Sequence, residues 1–223
     1  MNIDEARHNM VERQVRTWEV LDQRVLDLLE TVPREDFAPA RYRQLAFADL
    51  MIPLAHGEVM MRPNVEGRLL QAVQVQPGET VLEIGTGSGY LTACLATQGA
   101  RVETVDIHAD LVERARERLA DHCANGAPLG DRVHTAVGDV YADWQPQNTH
   151  DVLVVTGAVP ELPSRFLEWV RPGGRIFVIS GSPPIREAQL VTRFDEHEWR
   201  AESLFDTELP LLVNSEKPQP FVF

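Results

Sequence analysis

The sequence contains little lysine and no long apolar run. Of its 223 residues only Lys217 is a lysine, against 20 arginines, and the acidic residues outnumber the basic ones to give a net charge of −13. This charge argues against nucleic acid or an anionic membrane surface as a partner, because both attract basic faces. The longest apolar runs, such as residues 152–155, are too short to predict a membrane span. The charged stretch at residues 1–15 is not typical of a secretory signal.

Cysteine is also scarce. Cys94 and Cys123 are too few for a disulfide framework, and neither has histidines at a metal-binding spacing. We therefore expect reduced thiols in a cytoplasmic protein without a metal. Hydrophobic residues at 43% and charged residues at 25% are ordinary for an ordered globular chain, and the length suits one domain. A monomer is the simplest expectation.

The pattern of apolar residues along the sequence changes near Thr80. Before it, polar-apolar periodicity predicts helices over residues 4–17, 22–30 and 64–75, with an irregular loop over 34–63. After it, apolar runs alternate with helical stretches. Strands are predicted over 80–86, 101–107, 132–139, 150–157 and 174–180, and helices over 92–98, 109–122 and 163–170.

This alternation predicts an α/β fold. We expect a Rossmann-like, doubly wound and mostly parallel seven-stranded sheet. The charged, alternating stretches after Arg186 are typical of an antiparallel C-terminal hairpin at the sheet edge. The helices before Thr80 form an N-terminal extension, and we place a boundary between residues 1–78 and 79–223 of what is one structural unit overall.

A glycine-rich turn follows the first predicted strand of the sheet. Gly85, Gly87 and Gly89 are spaced two apart, directly after Glu83. Glycines let the chain turn sharply and let a ligand approach the backbone. A dinucleotide-binding loop has a glycine where this chain has Tyr90, so the spacing favours S-adenosylmethionine (SAM) over a dinucleotide. The alternative is a plain strand-to-helix turn.

Two acids follow the next strands. Asp106 ends the second strand of the sheet, where a carboxylate binds both ribose hydroxyls of a nucleotide. Asp139 ends the third strand, within reach of an adenine amino group. A helix cap and a turn residue are the alternatives. The predicted cofactor-binding residues are Glu83, Gly85, Thr86, Gly87, Ser88, Gly89, Asp106, Ile107, Asp139, Val140 and Thr156.

Several segments together resemble the protein-L-isoaspartate O-methyltransferase family, over roughly residues 5–213. They are VPREDFAP at 32–39, the loop at 48–58, VLEIGTGSGY at 81–90, Gly138-Asp139, DVLVVT at 151–156 and LEWVRPGG at 167–174.

The resemblance implies an activity. Such an enzyme transfers a methyl group from SAM to the free α-carboxylate of an isoaspartyl residue in a damaged protein. The ester then collapses to a succinimide, from which aspartate is regenerated. A carboxylate is already ionised at neutral pH, so no strong general base is needed. The resemblance places the acceptor site in residues 1–78 and the SAM site in residues 79–223.

One motif departs from the family. Where the family has G-Q-T-I-S-x-P, with its serine at the acceptor carboxylate, this chain has GEVMMRP at 57–63. The serine position is Met61, whose thioether donates no hydrogen bond. Arg62 is a candidate replacement donor. Met60 and Met61 have three interpretations: core residues, a lining for the methionine end of SAM, or part of a site for another acceptor.

Three hypotheses follow. The first is an isoaspartyl repair methyltransferase with SAM as cofactor, S-adenosylhomocysteine (SAH) as product and Met60, Met61 and Arg62 at the acceptor. The second is a related SAM-dependent methyltransferase acting on another acceptor, such as a small carboxylic acid or a hydroxyl. The third is a SAM-binding protein without catalysis. The sequence assigns no role to the segment at 219–223.

Overall fold

A computed structural model describes residues 2–124 and 126–215, so the segment at 219–223 lies outside the described residues. The helices are α1 (Ile3–Met10), α2 (Gln23–Thr31), α3 (Arg34–Phe37), α4 (Pro63–Val73), α5 (Tyr90–Thr97), α6 (Ala109–Asp121) and α7 (Ser164–Glu168). The strands are β1 (Ile52–Pro53), β2 (Val59–Met60), β3 (Thr80–Ile84), β4 (Arg101–Asp106), β5 (Cys123–Ala124), β6 (Ala127–Pro128), β7 (Val133–Val137), β8 (His150–Val159), β9 (Val170–Ser180), β10 (Arg186–Arg193) and β11 (Trp199–Thr207).

Seven of these strands form the central sheet, in the order β11-β10-β9-β8-β3-β4-β7. The five strands from β9 to β7 are parallel, and β10 and β11 add an antiparallel pair at one edge. The predicted α/β fold with a C-terminal hairpin is therefore confirmed. Strand β8 is buried along most of its length, because helices and loops cover both faces of a parallel sheet.

The N-terminal extension is helical, as predicted, but its first helix changes geometry. The α-helix ends at Met10 and continues as a π-helical turn over Val11–Val15 and a 3₁₀ turn over Arg16–Trp18. The loop predicted over 34–63 holds α3 and the small β1–β2 hairpin, which are too short to leave a periodic pattern in the sequence.

Strand β9 also begins earlier than predicted. Val170 pairs with His150, and the next pair joins Val152 to Arg175, so the residues between Val170 and Arg175 form a bulge in the strand. The Pro-Gly-Gly stretch at 172–174, which lies where the predicted helix gives way to the predicted strand, is part of this bulge.

The main hydrophobic core is continuous between the N-terminal helices and the sheet. Leu29 of α2, Leu70 of α4 and Phe177 of β9 belong to one buried cluster. The boundary at residue 78 remains a prediction. None of the helices in the described residues combines the length and the hydropathy that a membrane-spanning helix needs.

Candidate active site

The turn between β3 and α5 requires glycine. Gly85, Gly87 and Gly89 have φ values of 99°, 51° and 83°, which L side chains rarely adopt. A Cβ on Gly85 would lie 2.2 Å from Oγ1 of Thr156, and a Cβ on Gly89 would lie 2.9 Å from Cβ of Ala115. The loop therefore packs its backbone directly against β8 and α6.

Asp106 ends β4 beside this loop. Its Oδ2 accepts a hydrogen bond from Gly87 N–H and its Oδ1 accepts one from His108 N–H, both at 2.9 Å. Each carboxylate oxygen has a second lone pair, so the group holds the loop in place and still has capacity for ligand hydroxyls.

Asp139 lies beyond the end of β7, the next strand along the sheet. Its Oδ1 accepts a hydrogen bond from Tyr141 N–H at 2.7 Å, and its Oδ2 accepts one from the side-chain amide of Asn214 at 2.7 Å. These bonds place Asp139 and Val140 at the carboxyl edge of the sheet, beside Ile107.

The segment after β11 returns to this edge and covers it. Ala158 N–H donates to Pro210 O, and Leu212 N–H donates to Ala158 O, both at 2.8 Å. A Cβ on Gly157 would lie 2.6 Å from Cδ2 of Leu212, so the segment lies close against β8. Leu212 and Val213 consequently form one wall of the site.

Two adjoining cavities lie at this edge, and both are lined by Glu58, Gly85, Asp106 and Leu212. The crevice they form is where ligands bind in open α/β sheets. The sequence-predicted residues that line it are Met60, Met61, Glu83, Gly85, Thr86, Gly87, Ser88, Asp106, Ile107, Asp139, Val140 and Thr156. Gly89 and Arg62 are not among the lining residues: they are the N-caps of α5 and α4.

Two of the lining carboxyl groups are deeply buried. Burial raises the pKa of Glu83 to about 7, although the hydroxyl of Thr92 donates to its Oε2. Burial likewise raises the pKa of Glu66 to about 7, against the opposing effect of Arg34. The pKa of Glu58 is raised by partial burial and by the negative charge of Asp106. The crevice thus accepts hydrogen bonds and attracts positive charge.

The residues that depart from the family motif lie at the end of the crevice next to α4. Met60 and Met61 are both buried and both line the cavity. Behind them, the fully buried Arg34 donates from Nη1 to Sδ of Met60 at 3.2 Å and from Nη2 to Met61 O at 2.5 Å. Its Nε lies 3.3 Å from Oε2 of Glu66.

Sequence reasoning missed several lining residues. They are Glu58, Val59, Glu66, Ile84, Leu91, Val105, His108, Gly138, Gly157, Leu212 and Val213. Glu58, Val59 and Gly138 are sequence neighbours of predicted site residues, so the motifs could have identified them. Glu66 has the pattern of an ordinary polar helix position, and nothing local marks the return of Leu212.

Comparison with known proteins points to one family. The family model described as protein-L-isoaspartate(D-aspartate) O-methyltransferase matches residues 5–207. The chain is 35% identical over 192 residues to the protein-L-isoaspartate O-methyltransferase of Koribacter versatilis, covering 86% of this chain and 82% of that protein. It is 32% identical over 220 residues to that of Brucella anthropi, covering 97% and 98%.

Solved structures agree in fold. A Plasmodium falciparum protein described as a protein-L-isoaspartate O-methyltransferase, in complex with SAH, superposes with a TM-score of 0.77 at 18% identity, covering 92% of this chain and 97% of that one. The match of the family model over most of the chain, with relatives above 30% identity along nearly their whole lengths, shows that this chain belongs to the protein-L-isoaspartate O-methyltransferase family.

Proposed function

We propose that this protein is a SAM-dependent protein-L-isoaspartate O-methyltransferase, which methylates the α-carboxylate of isoaspartyl residues in damaged proteins. The observation that carries the proposal is the crevice itself. In a chain of this family, the glycine turn, Asp106 and Asp139 converge on one cavity at the carboxyl edge of a parallel sheet.

The residues of the crevice fit SAM. The turn at 85–89 has no side chains at its glycines, so a ligand can approach its backbone. Asp106 would hold the ribose hydroxyls, and Asp139 with Val140 would hold the adenine. Among the described residues, no group donates a hydrogen bond to the buried second oxygen of Glu83, Oε1, which makes it available to the ammonium group of the methionine part.

The charge of the crevice also suits this cofactor. Glu58, Glu66, Glu83, Asp106 and Asp139 line it, and among the described lining residues only His108 can carry a positive charge. When bound, SAM supplies an electrophilic methyl group on a positively charged sulfonium. Carboxylates around a cation are a favourable arrangement in a site that excludes water.

The protein's own contribution to the chemistry is alignment. The acceptor carboxylate is ionised at neutral pH and needs no general base. Holding the two reactants in line lowers the barrier by several kcal/mol, on the order of 7 or more in well-oriented systems. The hydrogen bonds that fix the loop, from Gly87 N–H to Asp106 and from Thr156 to the Gly85 carbonyl, keep one reactant in place.

A second candidate function has one observation in its favour. Met61, at the serine position of the family motif, lines the crevice and donates no hydrogen bond, and Arg62 is not in the lining. The alternative acceptors are a small carboxylic acid and a hydroxyl, of which the neutral hydroxyl would suit this end of the crevice better. SAM binding without transfer to any acceptor would support the third hypothesis, a non-catalytic protein.

The test is methyl transfer from labelled SAM to two peptides that differ only in isoaspartate or aspartate at one position. Transfer to the isoaspartyl peptide alone supports the proposal. Asp106→Ala should abolish transfer and weaken SAH binding by about 10- to 100-fold, since it removes a charged hydrogen-bond acceptor. Asp121→Ala, at an exposed position near the end of α6, is the matched control.

We propose a cytoplasmic monomer that acts on protein substrates without nucleic acid. The net charge of −13 and the two free cysteines support this.

A further inference from the structure

An acidic crevice is a poor place for an anionic acceptor. The side of the cavity formed by residues 58–66 is lined by Glu58, Val59, Met60, Met61 and Glu66. These side chains comprise three apolar groups and two carboxyl groups, and the family's serine hydroxyl is absent from them. A carboxylate entering here would meet no neutral donor and two groups that carry its own charge when ionised.

Arg34 does not solve this problem directly. Its guanidinium is fully buried behind the cavity wall, and two of its nitrogens already donate to Met60 Sδ and to Met61 O. It is not among the residues that line the cavity. Its effect on the cavity passes through its neighbours, and the ionisable neighbour that reaches the cavity is Glu66.

Glu66 is placed to contact the acceptor. It lies on the first turn of α4 and is buried, and it is joined to Met61 through Arg34, whose Nε is 3.3 Å from Oε2 of Glu66. This contact lacks hydrogen-bond geometry, and within residues 2–124 and 126–215 the buried Oε2 of Glu66 has no hydrogen-bond partner. A buried, unsatisfied carboxyl group beside a cavity calls for a ligand.

The groups around Glu66 favour its neutral form. Arg34 of α3 stabilises the carboxylate, whereas burial, which has the larger effect, favours the neutral acid. Burial also raises the pKa of the nearby Cys94 thiol of α5, so Cys94 carries no charge at neutral pH. Tyr90 of α5 faces Arg34 and adds no charge at neutral pH, because burial raises its pKa well above the usual value. With its pKa raised to about 7, Glu66 is protonated in a large fraction of molecules at neutral pH. An incoming carboxylate increases that fraction.

We propose that the protonated carboxyl group of Glu66 donates the hydrogen bond to the acceptor carboxylate that the serine supplies in other members of the family. Glu66 is then a specificity-determining residue, and this inference rests on the proposed isoaspartyl activity. Binding of the acceptor takes up a proton from solvent in those molecules whose Glu66 is ionised. Methylation neutralises the acceptor, and Glu66 can lose the proton again when the ester leaves.

The test compares wild type, Glu66→Gln and Glu66→Ala. Glutamine keeps a donor that does not titrate, and alanine removes it. We measure kcat and KM for the isoaspartyl peptide between about pH 5.5 and 8.5, with SAH binding by calorimetry as the check on folding. Glu113→Gln, on the exposed face of α6, is the control.

In wild type, KM should rise with pH above about 7, by as much as tenfold for each pH unit, while kcat changes little. In Glu66→Gln, KM should stay near the low-pH wild-type value throughout. Glu66→Ala should raise KM about tenfold at low pH, and Met61→Ser added to it should restore most of the loss. Peptide binding to the SAH complex near pH 7 should take up part of a proton in wild type and none in Glu66→Gln.

Three results would overturn the inference. The first is an equal rise of KM with pH in wild type and Glu66→Gln. The second is a weaker affinity for SAH in Glu66→Ala with an unchanged peptide KM, which would assign Glu66 to the cofactor. The third is absence of transfer to the isoaspartyl peptide by wild type, which would reject the proposed function as well. The first two leave that function intact, so the failures are distinguishable.

Discussion

Asn214 donates a hydrogen bond from its side-chain amide to Oδ2 of Asp139 at 2.7 Å. The bond joins two segments that are 75 residues apart in the chain. It holds the segment after β11 against the end of β7, where Leu212 and Val213 form a wall of the crevice. The proposed cofactor site is therefore completed by a part of the chain that carries no recognisable motif.

Asn214→Ala should weaken SAH binding about three- to tenfold, because it removes one hydrogen bond from this wall and leaves Asp139 with a single partner. Isothermal titration calorimetry measures the change. Asn148→Ala, at an exposed position away from the crevice, is the control and should bind SAH as wild type does. Equal affinities in the two variants would show that the wall does not contribute to binding.

Gly85→Ala tests the packing of the glycine turn. An alanine at position 85 would have to keep a φ near 99°, and its Cβ would lie 2.2 Å from Thr156 Oγ1. Gly78 has a similar φ of 89° with nothing within 4 Å, so Gly78→Ala isolates the backbone cost of about 1 kcal/mol. Gly85→Ala should lower the free energy of unfolding by about 1–3 kcal/mol more than Gly78→Ala does, and it should bind SAH poorly. If denaturant unfolding shows the same loss of stability in Gly85→Ala and Gly78→Ala, the close contact between the turn and β8 is contradicted.

Glu83 makes folding stability depend on pH. Its folded pKa of about 7 lies above the usual value of 4.5, so the folded state binds the proton more tightly than the unfolded chain does. Protonated Glu83 therefore contributes up to about 3 kcal/mol to the free energy of unfolding. This contribution is fully present below about pH 4.5 and is lost as the pH rises to about 7. Glu83→Gln should therefore lose less stability than wild type between pH 5 and 8 in denaturant unfolding. Parallel losses in the two proteins would exclude a raised pKa at this site.

Met61→Ser restores the family donor. One hydrogen bond to a charged acceptor contributes about 1.5–3 kcal/mol, so kcat/KM for the isoaspartyl peptide should rise by about tenfold or more at high pH, where Glu66 no longer donates. The gain should be smaller at low pH. A variant that gains isoaspartyl activity absent from wild type would instead favour the second candidate function, a different natural acceptor.

The sequence predicted the parts of the site that depend on local order. A strand followed by Gly85, Gly87 and Gly89 has few alternative structures, and Asp106 follows its strand in the same way. Parallel strands bring such ends together whatever the details of packing. This is why the predicted residues at 83, 85–88, 106–107 and 139–140 line one crevice.

The rest of the site depends on contacts between distant segments. Arg34 and Glu66 both have the pattern of ordinary charged helix residues, and only the packing of α3 and α4 against α5 buries them. Likewise, the sequence indicates that the chain forms a C-terminal hairpin but not that it then returns to Asp139. Burial of charge and long-range return of the chain are tertiary effects, which no local pattern encodes.

The most direct test of the central claim follows one isoaspartyl peptide through incubation with the enzyme and SAM by mass spectrometry. The account predicts that a species heavier by one methyl group forms first, at the isoaspartyl carboxyl. It then gives way to the succinimide, from which the aspartyl peptide accumulates, while the matched aspartyl peptide stays unmodified. An unmodified isoaspartyl peptide, in a sample that binds SAM, would contradict the claim and leave this family member with another acceptor.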